Sequence, residues 1–253
     1  MKTLLAPRLS PHATIEKTAN GWRLQIPAGE AGQYRLAQLD DYDSLSRSNF
    51  AYKERGSLSL RCRVSSASLP GTWGFGFWND PFAFSLGFQG TAQRLPALPN
   101  AVWFFNASPE NHLAFQDQLP GHGFLAQTFR SPPIPAGLLL PGLLGAPLML
   151  SKRFSKFLRR LSGSIIAQDG VALPVDTTLW HTYHINWNSR SVEFSVDDKM
   201  VFETRTCPRG ALGTVIWIDN QVAAWTPEGK IGMGTLPAAL PGWLELENLE
   251  IRA

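Results

Sequence analysis

Short apolar runs that alternate with period two, each cut off by glycine, proline, asparagine or aspartate, recur along most of the 253 residues. Trp22-Arg-Leu-Gln-Ile26 and Ser57-Leu-Ser-Leu-Arg-Cys-Arg-Val64 both alternate in this way, as strands with one buried face do. The same pattern predicts strands over 71–79, 101–106, 112–116, 180–187, 191–196, 199–204, 213–219 and 243–251, and long helical patterns are nearly absent. The 22 glycines and 19 prolines follow no fixed period, which fits a chain broken by many turns rather than a repetitive one. Many short strands between turn signals imply an all-β antiparallel sandwich or barrel. With 44% hydrophobic residues the chain can bury a full core, so 1–253 is read as a single domain.

One region breaks the pattern. Residues 131–167 run from Pro-Pro-Ile-Pro through a leucine-rich stretch interrupted by Pro141, Gly142, Gly145 and Pro147, then into Ser151-Lys-Arg-Phe-Ser-Lys-Phe-Leu-Arg-Arg-Leu161. The apolar stretch is too interrupted for an ordinary transmembrane helix. In the last part Phe154, Phe157, Leu158, Leu161 and Ile165 recur at helical spacing opposite the basic residues, which predicts an amphipathic helix. The region reads as an insertion between strands. As a lid it would pack its apolar face on the sandwich and leave its charges solvated. Its basic character equally suits contact with an anionic membrane surface.

Charge points to the same segment. Six of the 23 Lys and Arg lie between Asp117 and Asp169, a stretch without Asp or Glu; elsewhere 17 basic residues face 20 acidic ones. The body is therefore mildly acidic, and the basic residues are not spread over a face as a nucleic-acid binder would have them. Cys62 and Cys207 are far apart and lack any C-x-x-C spacing, so neither a zinc site nor a disulfide framework is indicated. The N-terminus has no apolar stretch long enough for a signal peptide before Pro7 and Arg8. The expected location is the cytoplasm, with a peripheral membrane contact as the further option.

The segment Leu179-Trp-His-Thr-Tyr-His-Ile-Asn-Trp187, followed by Val192-Glu-Phe-Ser-Val-Asp-Asp-Lys-Met-Val-Phe202, resembles the paired strands of the concanavalin A-like lectin and glucanase superfamily. In glycoside hydrolase family 16 this stretch reads W/F-H-x-Y-x-I-x-W and then a strand ending in V-D-G. Gly71-Thr-Trp-Gly-Phe-Gly-Phe-Trp78 and the closing Trp243-Leu-Glu-Leu-Glu-Asn-Leu-Glu-Ile251 are similar to further strands of that family. The resemblance covers about 57–106 and 179–253, leaves the insertion outside, and implies a two-sheet antiparallel jelly roll.

Family 16 hydrolases carry E-x-D-x-x-E on the strand after the tryptophan-rich one, because a retaining mechanism needs two carboxyl groups about 5 Å apart. On that spacing the present chain has Ala101, Trp103 and Asn106, and no Asp or Glu lies between Asp80 and Glu110. Alanine cannot attack an anomeric carbon and asparagine cannot protonate a leaving group. A retaining glycosidase of that kind is therefore not expected.

The nine tryptophans point instead to binding. Strand parity puts Trp73, Phe75 and Phe77 on a bulky core face, and Gly74, Gly76, Trp78 and Asp80 on the other. The glycines leave room for a ligand, for the leucine-rich insertion, or for a bulge. Trp217, Asp219 and Asn220 end a strand that borders the concave groove in the superfamily. The expected ligand-binding set is Trp78, Trp103, Asn106, Trp217, Asp219, Asn220 and Trp225. If the groove is an active site, Asp80, Asp219, His184 and Glu245 are its acid/base candidates. Each also has a plain structural reading: a turn cap for Asp80, a strand end for Asp219, and a solvated face for His184 and Glu245. The five histidines are scattered, and His181 and His184 point to opposite faces of one strand, so no metal is predicted and no cofactor is implied.

Three functions follow as expectations. The first is a non-hydrolytic domain that holds a hydrophobic or amphiphilic ligand, or a glycan, in an aromatic groove under the insertion. The second is an enzyme of other chemistry in that groove, an isomerase, cyclase or lyase. The third is a membrane-surface module.

Overall fold

The computed structural model of the protein describes residues 5–81, 94–135, 137 and 151–253. Its strands are β1 (Ala6–Leu9), β2 (Thr14–Lys17), β3 (Gly21–Ile26), β4 (Leu36–Asp40), β5 (Gly56–Val64), β6 (Thr72–Trp78), β7 (Ala101–Ala107) and β8 (Gly123–Arg130). After helix α1 (Lys152–Ile165) come β9 (Ala167–Ala172), β10 (His181–Trp187), β11 (Val192–Val196), β12 (Lys199–Thr204) and β13 (Gly213–Asp219). The chain closes with β14 (Gln221–Trp225), β15 (Ile231–Thr235) and β16 (Gly242–Arg252).

Two antiparallel seven-stranded sheets face each other. The first runs β1-β4-β13-β6-β7-β8-β9, the second β12-β11-β10-β5-β16-β3-β2, and β14-β15 form a separate hairpin. This is the two-sheet jelly roll that the resemblance implies, and the sandwich of the two architectures that the strand pattern allows. The expected strands at 71–79, 180–187, 191–196, 199–204, 213–219 and 243–251 are present to within a residue or two at each end. The one expected at 112–116 is reduced to a single bridge between His112 and Ala224. Strands β1, β2, β4, β8, β9, β14 and β15 were not foreseen.

The second sheet follows its sequence closely. In β5, Leu58, Leu60, Cys62 and Val64 are buried and the residues between them are not, so alternation in sequence is alternation in burial. Tyr183, Ile185 and Trp187 of β10 and Val192, Phe194 and Val196 of β11 enter the same core. The β11–β12 turn is made by Asp197 and Asp198, both at positive φ (49° and 63°), the conformation of a two-residue hairpin whose twist matches its strands. Cys62 and Cys207 are both buried and free.

The central strands of the first sheet are buried on both faces. Its inner face gives Trp73, Phe75, Phe77, Val102 and Phe104 to the core between the sheets, where the Phe75 and Tyr183 ring centroids lie 5.2 Å apart. Its outer face carries a second cluster that includes Trp103, Phe105, Leu125, Phe129, Ile166 and Trp217. This outer, aromatic face positions the candidate site.

Helix α1 lies where the 3.6-residue period predicts it, but it turns a different face inward. Its buried residues are Ser155 and Arg159, whereas Phe157 is 60% and Leu161 45% exposed. Arg159 donates to the Ala114 carbonyl and to Asp117 Oδ1, at 2.9 Å for the latter. Trp225 donates its indole N–H to Ser155 Oγ at 2.9 Å. The helix is thus held by polar bonds, with Phe154 and Leu158 half-buried and Phe157 and Leu161 exposed. The leucine-rich residues 138–150 lie outside the described residues.

Candidate functional site

Register sets the outer face of the first sheet. Gln38, Trp217, Gly74, Phe105 and Leu125 pair across β4, β13, β6, β7 and β8 in one row, and Asp40, Val215, Gly76, Trp103 and Gln127 in the next. The two glycines of β6 make this packing possible. A Cβ built on Gly76 would lie 2.7 Å from Cβ of Trp103, and one on Gly74 2.8 Å from the Trp217 ring. The room that glycine provides on this face is taken at Gly74 by the Trp217 indole and the Phe104 carbonyl, and at Gly76 by the backbone and Cβ of β7.

Trp103 and Trp217 are 5.6 Å apart between centroids, Trp78 and Trp103 5.9 Å, and Trp78 and Trp217 6.4 Å with planes within 7° of parallel. Phe105 adds a ring 5.3 Å from Trp103. All three indole N–H groups are turned to protein partners. Trp103 donates to Gln127 Oε1 (3.2 Å), Trp217 to Thr72 Oγ1 (3.0 Å), and Trp78 to the Tyr42 hydroxyl. Trp103 and Trp217 are each 8% exposed and Phe105 3%, with Trp78 half-buried, so the cluster is packed within the protein and a molecule reaching it would meet carbon.

The carboxyl groups around it are buried and bonded. Asp40 Oδ2 accepts from Gln38 (2.8 Å), and its Oδ1 accepts from the backbone N–H groups of Tyr42 and Asp43. Burial raises its pKa, with these bonds pulling the other way. Asp219 lies beside Trp217 at the end of β13. Its Oδ1 accepts from Thr72 N–H, Thr72 Oγ1 and Gln221 N–H, and its Oδ2 from the Tyr34 hydroxyl at 3.2 Å. Burial nevertheless pushes its pKa up to about 6.

Of the sequence-predicted residues, Trp78, Trp103, Trp217 and Asp219 come together on this face. Trp225 stands on the β14–β15 hairpin and joins the floor through a relay of rings. Its ring meets Phe115 (6.3 Å), Phe115 meets Phe129 (6.0 Å), and Phe129 meets Trp103 (6.0 Å). Asn106 has the parity of Val102 and Phe104, opposite Trp103, because β7 runs without a bulge. Asn220 is wholly buried: it accepts from Arg35 N–H and donates to the carbonyls of Gln33 and Leu236, which ties two loops to β13. Asp80, at positive φ, pairs with Arg94 at 2.6 Å, and Arg47 donates to its carbonyl. His184 and Glu245 lie on the outer face of the second sheet. There His184 approaches Asp198 (3.7 Å), and Glu245 is bound by Arg23 and Arg63 (3.1 and 2.7 Å).

Gln38, Asp40 and Tyr42 also belong to the site and were missed. Their segment, Leu36-Ala-Gln-Leu-Asp-Asp-Tyr42, reads as a turn because of its aspartates. The signal it does contain is Gln38 and Asp40 two apart, on one face of a strand.

A family model described as glycosyl hydrolases family 16 matches residues 166–214, the stretch from β9 into β13. Among solved structures, a family 16 endo-glucanase from Bacteroides ovatus in complex with G4G3G-2F-DNP has a TM-score of 0.50 at 9% identity, covering 100% of this chain and 96% of that one. The laminarinase catalytic domain from Thermotoga maritima, in complex with cetyltrimethylammonium bromide, has a TM-score of 0.49 at 11% identity, covering 96% of this chain and 80% of that one. No curated protein matches the sequence. The chain has the concanavalin A-like jelly-roll fold of family 16 glycoside hydrolases, and over residues 166–214 its sequence is similar to that family.

Proposed function

We propose that the protein is a non-hydrolytic binding domain that holds a hydrophobic or amphiphilic molecule against the floor of Trp78, Trp103, Phe105 and Trp217. The observation that carries this reading is the inward bonding of all three indole N–H groups. A sugar presents a rim of hydroxyls that needs polar partners at the surface, whereas Gln38, Asp40 and Tyr42 are bonded to one another. An apolar ring or chain needs only the carbon face. The non-hydrolytic part is supported by β7, whose residues on this face are Ala101, Trp103, Phe105 and Ala107, none of them acidic.

Native mass spectrometry of the purified protein, with organic extraction of what it carries, tests the reading. A co-purifying apolar molecule, lost in a Trp103→Ala variant that keeps its fold, is the expected result. Empty protein that binds no apolar molecule but retains oligosaccharides on a glycan array would overturn it in favour of a sugar ligand.

A second reading, acid/base catalysis on the same ligand, is favoured by Asp219, whose carboxyl is pushed to about 6 beside Trp217. It requires that Asp219→Asn abolish turnover of the extracted molecule while leaving its binding unchanged.

A further inference from the structure

Helix α1 has three faces. Ser155 and Arg159 point inward; Lys152, Arg153, Lys156 and Arg160, all exposed, form a basic side; Phe154, Phe157, Leu158, Leu161 and Ile165 form an apolar stripe on the remaining side. Along that stripe Phe157 is 60%, Leu161 45% and Ile165 38% exposed. A soluble helix ordinarily does the reverse, burying its apolar stripe against the core. Here the inward positions are filled by side chains that bond; Phe157, Leu161 and Ile165 are left exposed, and Phe154 and Leu158 are half-buried. The hairpin against which the helix packs, with Trp225 bonded to Ser155, exposes two more, Ile231 and Met233.

We propose that this surface docks on an anionic lipid bilayer, with the apolar stripe of α1 entering the interface and its four exposed cations meeting the headgroups. Charge complementarity selects this occupant. The helix carries no acidic residue, and none occurs in the sequence between Asp117 and Asp169. A helix with a large apolar face, a basic side and no acid suits the boundary between headgroups and acyl chains. Among the described residues no helix is long and apolar enough to cross a membrane, so the contact is a surface one. The inference uses none of the residues of the aromatic floor, so either reading can fail without the other.

Co-sedimentation of the full chain with vesicles tests it, using phosphatidylcholine alone and phosphatidylcholine mixed with phosphatidylserine. Binding to the mixed vesicles only, weakened by salt, is the expected result. Lys156→Gln and Arg160→Gln should each weaken it about fivefold, the effect of one cation near a charged surface. Phe157→Asp with Leu161→Asp should abolish it; both side chains are exposed, so near-ultraviolet circular dichroism and the thermal midpoint should stay as in the parent. Failure to bind mixed vesicles, or binding that these variants leave unchanged, overturns the proposal. So does a lipid-free dimer that Phe157→Asp dissociates, which would assign the stripe to a second copy of the chain.

Discussion

The indole of Trp217 fills the space in which a side chain at position 74 would begin. A Cβ built on Gly74 would lie 2.8 Å from Cη2 of that ring and 2.5 Å from the carbonyl oxygen of Phe104. One neighbour is a fixed ring and the other is backbone, so neither can yield cheaply. Gly74→Ala should therefore destabilise the domain by about 1–3 kcal/mol, the usual cost of overpacking. Urea denaturation of the two proteins measures it, and an unchanged midpoint would mean that the Trp217 ring can move away from position 74.

Asp219 makes stability depend on pH. Its folded pKa of about 6 lies above the value of about 4 in an unfolded chain, so the folded protein holds the proton more tightly. The stabilisation this gives is fully present below about pH 4 and is lost as pH rises through about 6. Asp219→Asn keeps an acceptor for Thr72 and removes the titration. From about pH 4 to about pH 7 the parent should lose up to about 3 kcal/mol more than the variant. Parallel pH profiles for the two proteins would contradict this.

Asp80 and Arg94 form a buried pair, with 6% and 7% of their side chains exposed. Arg94 also donates to the carbonyls of Tyr42, Asp43 and Leu45, which hold the loop after β4 over one end of the floor. Arg94→Met strands a carboxylate whose pKa burial already raises, and should cost about 3–5 kcal/mol. Adding Asp80→Asn should recover a large part of that loss. Strict additivity in the double-mutant cycle would show that the two side chains are not coupled.

Arg159 anchors α1. Replacing it with methionine keeps the bulk but removes the bonds to Ala114 and Asp117, at a cost of about 2–3 kcal/mol. The partner left behind, Asp117, is 63% exposed, so it gains water in exchange. The effect should be local. Limited proteolysis should cut within 152–165 in the variant and not in the parent, with the main unfolding transition little changed. Equal resistance in both proteins would show that the helix is held by something else.

The second sheet, its edge strand β2 apart, was legible in the sequence because its central strands have one wet and one dry face. In β5 and β10 that difference is written residue by residue, and the Asp197-Asp198 turn follows from their place between two alternating runs. The first sheet was legible only where its strands are strongly apolar. β4 ends in aspartates that make it look like a turn, and β8, Gly-Phe-Leu-Ala-Gln-Thr-Phe-Arg, is buried nearly throughout and shows little alternation. Strand β7 was legible, and its unbroken alternation puts Trp103 and Asn106 on opposite faces; the packing of the sheets decides that the face of Trp103 is the outer one.

The sequence by itself determined an all-β antiparallel sandwich or barrel, since period-two alternation allows few other ways to bury one face of so many strands, and the choice of a two-sheet sandwich came from the family resemblance. The sequence also determined that 152–165 is a helix with an apolar and a basic side. Tertiary structure alone decided what those features meet. Periodicity states which residues share a face, and it carries no information on which face turns inward when a polar side chain such as Arg159 finds partners there. In the same way, glycines at 74 and 76 mark a place where something comes close to the sheet. Only the pairing of β6 with β7 and β13, partners distant in sequence, decides that Trp103 and Trp217 are what comes close.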